Sequence, residues 1–447
     1  MKFLLINPTA DCWRIKHNKK PSRVTRFFRY SMLTSLYVAA ATPSHVDIKI
    51  VDEDVEPVDF DTDIDLVGIS FMTYNAPRAY EIADRFRKDK GKTVIFGGYH
   101  PSFLPEEAIN YADAICIGEA ENNLPNMIKD FETGKLKQFY QSEQADLKGL
   151  PIPNRKLLNT SSYIYADAVQ ATRGCSNKCK FCSISSFFEH NFRARPVDEV
   201  VEELKTLRKL IIFMDDNLIN DRDYAEELFT KMIPLKKHWF SQCSIKIAFD
   251  DKLLKLAHDS GCHGLFLGLE SLSQDNLNSW SKGNNAQQYT LAINKIHSAN
   301  IAVFAAIVFG MDSDTTDIFL KTLNFLQETH VEALQATIMT PFPGTPLFEE
   351  MDRQGRIVTK DWSQYDFGHV VFEPKNMSRA SLRYGHDWVL SEFYSQSAIW
   401  RRLVRVFSYI NPLVVLYAIV PLNIGYRTRL ITNHAIRDFK INQAVVA

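Results

Sequence analysis

An excess of charge of either sign is missing from this sequence. It has 52 basic against 53 acidic side chains in 447 residues, so the overall balance gives no reason to expect nucleic acid or a polyanion as partner. Cysteine is scarce, seven in all and unevenly placed. That odd set is not an extracellular disulfide framework, and a reducing cytoplasm is the expected compartment. No uninterrupted apolar run reaches the ~18 residues that would span a bilayer. The opening MKFLLINPTAD lacks the longer apolar core and cleavage site of a secretory signal and reads as a first strand. There is no internal repeat and no low-complexity tract. What is present is an ordinary globular composition, 45% apolar, in a chain long enough for two or three domains of ~150 residues each.

Three patterned segments follow one another. Over 1–140, short Val/Ile-rich runs (KFLLINP, VDIKIVDED, DLVGISF, TVIFGGYH, DAICIGEAE) alternate with helical patterns around Ser31–Ala41 and Pro77–Lys88. This predicts an α/β, doubly wound (Rossmann-like) parallel sheet. Residues 141–165 lose the periodicity, carry Pro151 and Pro153, and read as a linker. Over 166–375 the alternation restarts with ADAVQAT, KLIIFMD, SIKIAF, GLFLGLE, IAVFAAIVFG and LQATIMT as strand candidates. Helical patterns at Pro196–Arg208, Asp221–Lys231, Asp251–Asp259, Gln287–Ser298 and Thr316–Thr329 separate them. Pro196 suits a first helical turn, Asp250 a cap and Gly261 a helix end. Six strand–helix units imply a partial (β/α)6 TIM-like barrel with its active site at the carboxyl ends of the strands. The region 376–447 is expected to be mostly helical.

The chemistry concentrates in ATRGCSNKCKFC, residues 171–182, which places Cys175, Cys179 and Cys182 in one loop after the first barrel strand. Structural zinc wants four ligands, and no second Cys/His pair lies near; His190 reads better as a polar loop residue than as a fourth ligand. A redox dithiol, Cys179-Lys-Phe-Cys182, leaves Cys175 unexplained. A four-iron cluster fits better, with one iron left open for a small molecule. The scattered Cys12, Cys116, Cys243 and Cys262 suit small buried hydrophobes. Asp215, Asp216 and Asn217 end the second barrel strand; by themselves, paired carboxylates there also suit general acid/base work or a metal.

The C-x-x-x-C-x-aromatic-C spacing of Cys175, Cys179, Phe181 and Cys182 resembles the signature of the radical S-adenosylmethionine (SAM) superfamily. The resemblance implies a [4Fe–4S] cluster whose open iron chelates SAM, reductive cleavage to a deoxyadenosyl radical, and an electron donor such as flavodoxin or ferredoxin. Arg173, Lys178 and Lys180 would then offset thiolate charge or attract an acidic donor, or simply solubilise the loop. The same resemblance implies that Asp215, Asp216 and Asn217 receive the SAM ammonium, and that Glu270 and Ser271 face the ribose and methionine parts. Gly310 matches the fifth-strand glycine, although Asp312-Ser313-Asp314 stands where the family more often has Pro-Gly-Glu. Pro341, Pro343, Gly344, Thr345 and Pro346 resemble the sixth-strand exit.

A doubly wound domain ahead of such a barrel is similar to the cobalamin-binding (class B) radical SAM methyltransferases. Ser70, Gly97, Gly98, Gly118 and Glu119 match that group's strand ends and imply cobalamin contacts. Asp54 stands where many cobalamin proteins have a cobalt-ligating His, which implies binding without a protein imidazole or loss of the cofactor. His100 is expected to be a surface histidine or a corrin contact. The resemblance implies a C-methyltransferase acting on an unactivated carbon of an organic substrate, which would be lipid-like if the tail is interfacial. The alternatives are a radical SAM cyclase, ring-remodelling or carbon–carbon coupling enzyme, and a non-catalytic cluster-bearing redox sensor. In the tail, aromatics and Arg401, Arg402, Arg405, Arg427, Arg429 and Arg437 suit either peripheral membrane contact through 400–437 or a helix packed on the barrel.

Overall fold

Two parallel sheets follow one another along the chain. The computed structural model describes residues 1–10, 32–164 and 166–432. Ser31, Cys12 and Arg437 lie outside the described residues, as does the side chain of Arg429.

The front sheet contains β1 (Lys2–Asn7), β2 (Asp47–Asp52), β3 (Leu66–Ser70), β4 (Thr93–Gly97), β5 (Ala114–Ile117) and β6 (Phe139–Gln141). Their order is β2-β1-β3-β4-β5-β6, and every pairing is parallel. Phe3 through Asn7 are buried without alternation, as a strand covered on both faces requires. The strand order turns back between β1 and β3, which makes their carboxyl ends the natural crevice for a ligand. The first helix runs Leu33–Ala41, within the expected stretch. The second runs Ala76–Asp84 and continues as a wider turn over Arg85–Asp89.

The second sheet begins at β7 (Asp167–Val169). A short antiparallel hairpin, β8 (Thr172–Gly174) with β9 (Phe192–Ala194), then clasps the cysteine loop. β10 (Leu210–Phe213), β11 (His238–Cys243), β12 (Cys262–Glu270), β13 (Ala302–Phe309) and β14 (Ala333–Ile338) complete it. The order β14-β13-β12-β11-β10-β7 is an open parallel arc of six strands, a partial barrel. One strand expectation is corrected. SIKIAF forms a 3-10 helix, Ile245–Phe249, and the third strand is the preceding HWFSQC. Ser244 turns the chain there by accepting from the Lys246 amide, a local bond that competes with strand extension. Asp250 caps the next helix through the Leu253 amide. Gly261 ends it at φ +97°. Pro196 stands just ahead of its helix, Val197–Thr206, in extended conformation.

The two sheets share buried side chains. Phe71, Tyr80 and Phe96 of the front domain lie in one apolar cluster with Phe342, Trp362 and Tyr365 from beyond β14. Trp362 Nε1 donates to Glu107 at 2.8 Å. Gly344, at φ +76°, has the Phe103 ring where a Cβ would stand, so the TPFPGTP turn owes its glycine to close packing against the front domain. The tail forms helices Arg379–Phe393, Gln396–Val406 and Val420–Thr432. Tyr426 packs edge-on to Phe304 of β13 at 5.9 Å. Buried Glu332 receives the Tyr409 hydroxyl. Among the described residues no helix is long and apolar enough to cross a membrane.

Candidate active site

Gly174 ends β8 at φ +80°, with the Asn191 carbonyl where a Cβ would be. The tight hairpin sends the next residues over the barrel mouth, where Cys175, Cys179 and Cys182 line one cavity of about 290 Å³. All three thiols are free, the first two buried. Phe181 packs on Trp280 at 4.8 Å, and the Lys180 amide donates to the Trp280 carbonyl at 3.2 Å. Asn220 Oδ1 accepts from the Ser176 amide and hydroxyl at 3.2 and 3.0 Å. Burial pushes the Cys179 thiol up to about 11, against the pull of Lys282. Such a thiol becomes a thiolate when a cation binds it. Among the described residues no trio of His, Cys, Asp or Glu closes on a single-ion site. A cubane makes a different demand, one thiolate for each of three irons, and three free cysteines on one cavity wall fit that donor set.

The predicted SAM residues separate into two groups. Asp216, Asn217 and Glu270 line the cavity. Asp216 Oδ2 accepts from the Gly174 amide at 2.9 Å, and burial raises its carboxyl to about 6. Asn217 Oδ1 accepts from the Ser244 amide at 2.9 Å. Glu270 sits at φ +67° beyond a bulge in β12 and pairs with Lys282 at 2.8 Å. Gly268 leaves room for that pair: its missing Cβ would stand 3.0 Å from the Lys282 ammonium.

Asp215, Ser271, Gly310 and Pro341 lie outside the cavity wall. Asp215 is turned into the protein, accepting from the Ala171 amide at 3.1 Å and the Thr172 hydroxyl at 2.6 Å, and burial lifts it to about 7. It anchors the hairpin base rather than facing a ligand. Ser271 accepts from Asn276 at 3.4 Å. Asn276 in turn donates to Asp314 at 2.7 Å. Asp314 takes the Gly310 and Met311 amides, both at 3.0 Å, so this departure from Pro-Gly-Glu is an internal cap. Pro341 is buried between Thr340 and Phe342, which do line the cavity.

At the front sheet's carboxyl edge, Gly118 has φ +82° and nothing within 4 Å of an added Cβ. Its amide donates to the Ser102 hydroxyl at 3.0 Å. Gly97 and half-buried Ser70 end the neighbouring strands in register. Gly98, at φ +100°, packs instead on the Phe71 backbone, where a Cβ would stand 2.7 Å from the carbonyl oxygen. A glycine-lined edge with open space at Gly118 fits a flat corrin. Asp54 offers no imidazole and accepts from the Thr9 hydroxyl. His100 is fully buried against Tyr80, whose hydroxyl lies 2.9 Å from Nε2. This corrects the surface expectation: the Gly-Gly turn feeds His100 inward, beneath Trp362.

Glu119 has a different task from its glycine neighbour. Its carboxylate pairs with Arg173 at 2.7 Å and Arg193 at 2.8 Å, and takes the Ala145 amide at 2.8 Å. Burial alone would raise it, but Arg193 and Arg173 outweigh that and hold it below the usual carboxylate range. Arg173, expected to offset the thiolates, is therefore neutralised by Glu119 and by Glu121 at 2.6 Å. Lys178 is exposed, and Lys180 lies 3.9 Å from Glu350.

Sequence reasoning passed over Lys282, Asn220 and Tyr99. Asn220 stood in the polar run FMDDNLIND and could have been found as one of its ligand-loop partners. Lys282 is an isolated lysine whose partner emerges only on folding. Tyr99 reaches from the front domain into the cysteine loop, with its ring 4.4 Å from Phe187. Burial and the nearby Asp216 push its phenol up.

A front sheet carrying a glycine-lined ligand edge, joined to a partial barrel with three thiols at its mouth, defines a radical SAM enzyme with a B12-binding domain. The comparisons agree: the chain matches the Radical SAM superfamily over residues 169–326 and the B12 binding domain over 27–128. It is 33% identical to bacteriochlorophyllide d C-12(1)-methyltransferase of Chlorobaculum tepidum over 389 residues, covering 83% of this chain and 84% of that one. It is 25% identical to hopanoid C-2 methylase of Rhodopseudomonas palustris, covering 73% and 65%. The fold matches that of TsrM from Kitasatospora setae, solved with cobalamin and a [4Fe–4S] cluster bound, with a TM-score of 0.66 at 14% identity over 97% and 99% of the two chains. The chain belongs to the cobalamin-binding radical SAM methyltransferases. Its cofactors are the [4Fe–4S] cluster, SAM and cobalamin.

Proposed function

We propose that this enzyme methylates an unactivated alkyl carbon on a large, flat, apolar substrate, a tetrapyrrole macrocycle in preference to a polycyclic lipid. One observation carries this: besides the cysteines, the cavity is lined by Phe266, Ala306, Val308, Met339, Phe342 and Phe367, with the uncharged Gln335, Thr337 and Thr340 on the same strands and strand ends. This part of the wall rewards apolar area, while the charged lining residues, Asp216, Lys246, Glu270 and Lys282, come from other segments. The 33% identity to a bacteriochlorophyllide methyltransferase, against 25% to the hopanoid enzyme, favours the tetrapyrrole.

When bound, the cluster and SAM supply a hydrogen-abstracting radical and cobalamin carries the methyl group. The chain's own residues orient these partners. Asp216 and Asn217 would receive the SAM ammonium, and Lys282, held by Glu270, its carboxylate. Phe181 and Asn220 fix the cysteine loop, and the front domain's Tyr99 helps close the site to water. Lys178 and Lys180 suit an acidic electron donor such as flavodoxin or ferredoxin. A cytoplasmic location with peripheral membrane contact suits both the oxygen-labile cluster and a greasy substrate.

The test is anaerobic incubation of the fully loaded enzyme with SAM, a low-potential reductant and detergent-dispersed bacteriochlorophyllide or hopanoid. Faster deoxyadenosine release and a methylated tetrapyrrole are expected. Faster release with a polar amino-acid or peptide substrate, and with neither apolar one, would overturn the reading.

A further inference from the structure

The tail carries a surface that methyl transfer leaves unused. On Gln396–Val406, Trp400, Val404 and the following Phe407 recur at helical spacing and are 69%, 71% and 42% exposed. After the turn, Leu413, Leu416 and Tyr417 expose 64%, 51% and 75%. No other stretch of the described residues concentrates large exposed apolar side chains in this way. A monomer rarely leaves such a surface in water without a use.

The opposite side of the same segment is firmly held. Arg402 is buried, stacks 3.8 Å over Phe393 and donates to the Asn423 side-chain oxygen, Oδ1, at 2.7 Å. Asn423 donates to the Glu332 carbonyl at 3.0 Å. The inner face is thus fastened to the barrel, and the outer face is presented by a rigid support.

Charge selects the occupant. No Asp or Glu occurs between Glu392 and Asp438, while Arg401 and Arg405 stand exposed beside the apolar stripe. Aromatic and aliphatic side chains flanked by unopposed arginines match the interface of an anionic bilayer, apolar below and negative above. We propose that the face formed by residues 400–417 docks on the surface of an anionic membrane. The proposal rests on the apolar-substrate reading for its purpose, since such a substrate partitions into lipid, but not for its geometry.

The experiment is flotation of the full-length, cofactor-loaded protein, without substrate, on vesicles of phosphatidylcholine alone or mixed with phosphatidylglycerol, at low and high salt. Binding is expected on the anionic vesicles and should weaken with salt. Arg401→Gln and Arg405→Gln should each lower the partition coefficient about five-fold. Val404→Ser and Tyr417→Ser should lower it at every salt concentration. Iron content and the corrin absorption spectrum report whether each variant is still folded. Absence of wild-type binding, or binding unchanged in all four variants, overturns the proposal. So does a stable dimer that Trp400→Ser converts to monomer, which would make the occupant a second copy. Binding that appears only after truncation at Thr432 would instead assign the face to residues 433–447. The substrate reading is scored separately in detergent without vesicles, so either can fail alone.

Discussion

At the carboxyl edge of the front sheet, Glu119 faces Arg193 and Arg173, which hold its carboxyl below the usual range. At the corresponding edge of the barrel, Asp215 and Asp314 meet backbone amides and uncharged side chains, and burial lifts them to about 7 and about 6. Both edges carry acids just beyond the ends of parallel strands, so their position alone does not set the role. Whether a cation folds against the carboxylate decides it. In the front domain the acid spans the boundary between the two sheets; in the barrel the acids cap loops around the cavity.

The comparison can be broken most severely through the thiols. Cys179→Ala should leave both sheets and both acidic edges intact while activity falls by at least about a thousand-fold, on the scale of losing an essential cofactor ligand. Iron and sulfide quantitation with EPR on oxygen-free protein would check that the cluster, and not the fold, was lost.

Glu119→Ala separates the edges next. It leaves half-buried Arg193 without its carboxylate while buried Arg173 keeps Glu121, a change expected to cost about 3 kcal/mol. Chemical denaturation of the cluster-free protein should show this loss, with the front sheet unfolding ahead of the barrel. The equivalent change at the barrel edge has no stranded charge to expose.

Acidity gives the smallest and sharpest contrast. Asp215 and Asp314 keep their protons in the fold where the unfolded chain, with values near 3.9, has lost them. Their stabilising contribution is complete below about pH 4 and is lost as pH rises through about 6 and about 7. Glu119 behaves oppositely: its contribution is present above the unfolded value of about 4.3 and is lost as pH falls through its lowered folded value. Asp215→Asn with Asp314→Asn should therefore flatten the slope of stability between about pH 4 and 7 by of order 1 kcal/mol per pH unit for each carboxyl. Urea titrations across that range measure it.

Much of the fold was legible because it is written in local periodicity. Continuous apolar runs such as Phe3–Asn7 mark strands covered on both sides, and Asp250 and Gly261 mark helix ends by their own side chains or lack of one. The exception was SIKIAF, whose apolar content suits a strand or one face of a tight helix equally; the Ser244 cap chose the latter. Among site residues, Asp216, Asn217 and Glu270 reached the cavity, whereas Asp215, Ser271 and Gly310 serve its frame. Adjacent residues on a strand end point in opposite directions, and the motif does not say which one faces the ligand.

The sequence by itself determined the three-thiol loop, because ligand spacing within eight residues is a property of the local chain. It also determined the order of the two parallel domains, because hydrophobic period and turn residues act over short range. Only the tertiary structure decided that Lys282 guards Glu270, that Glu119 fastens one domain to the other, and that His100 lies buried. Those outcomes depend on which distant charge or ring arrives at a given atom, and burial then multiplies the consequence of that meeting.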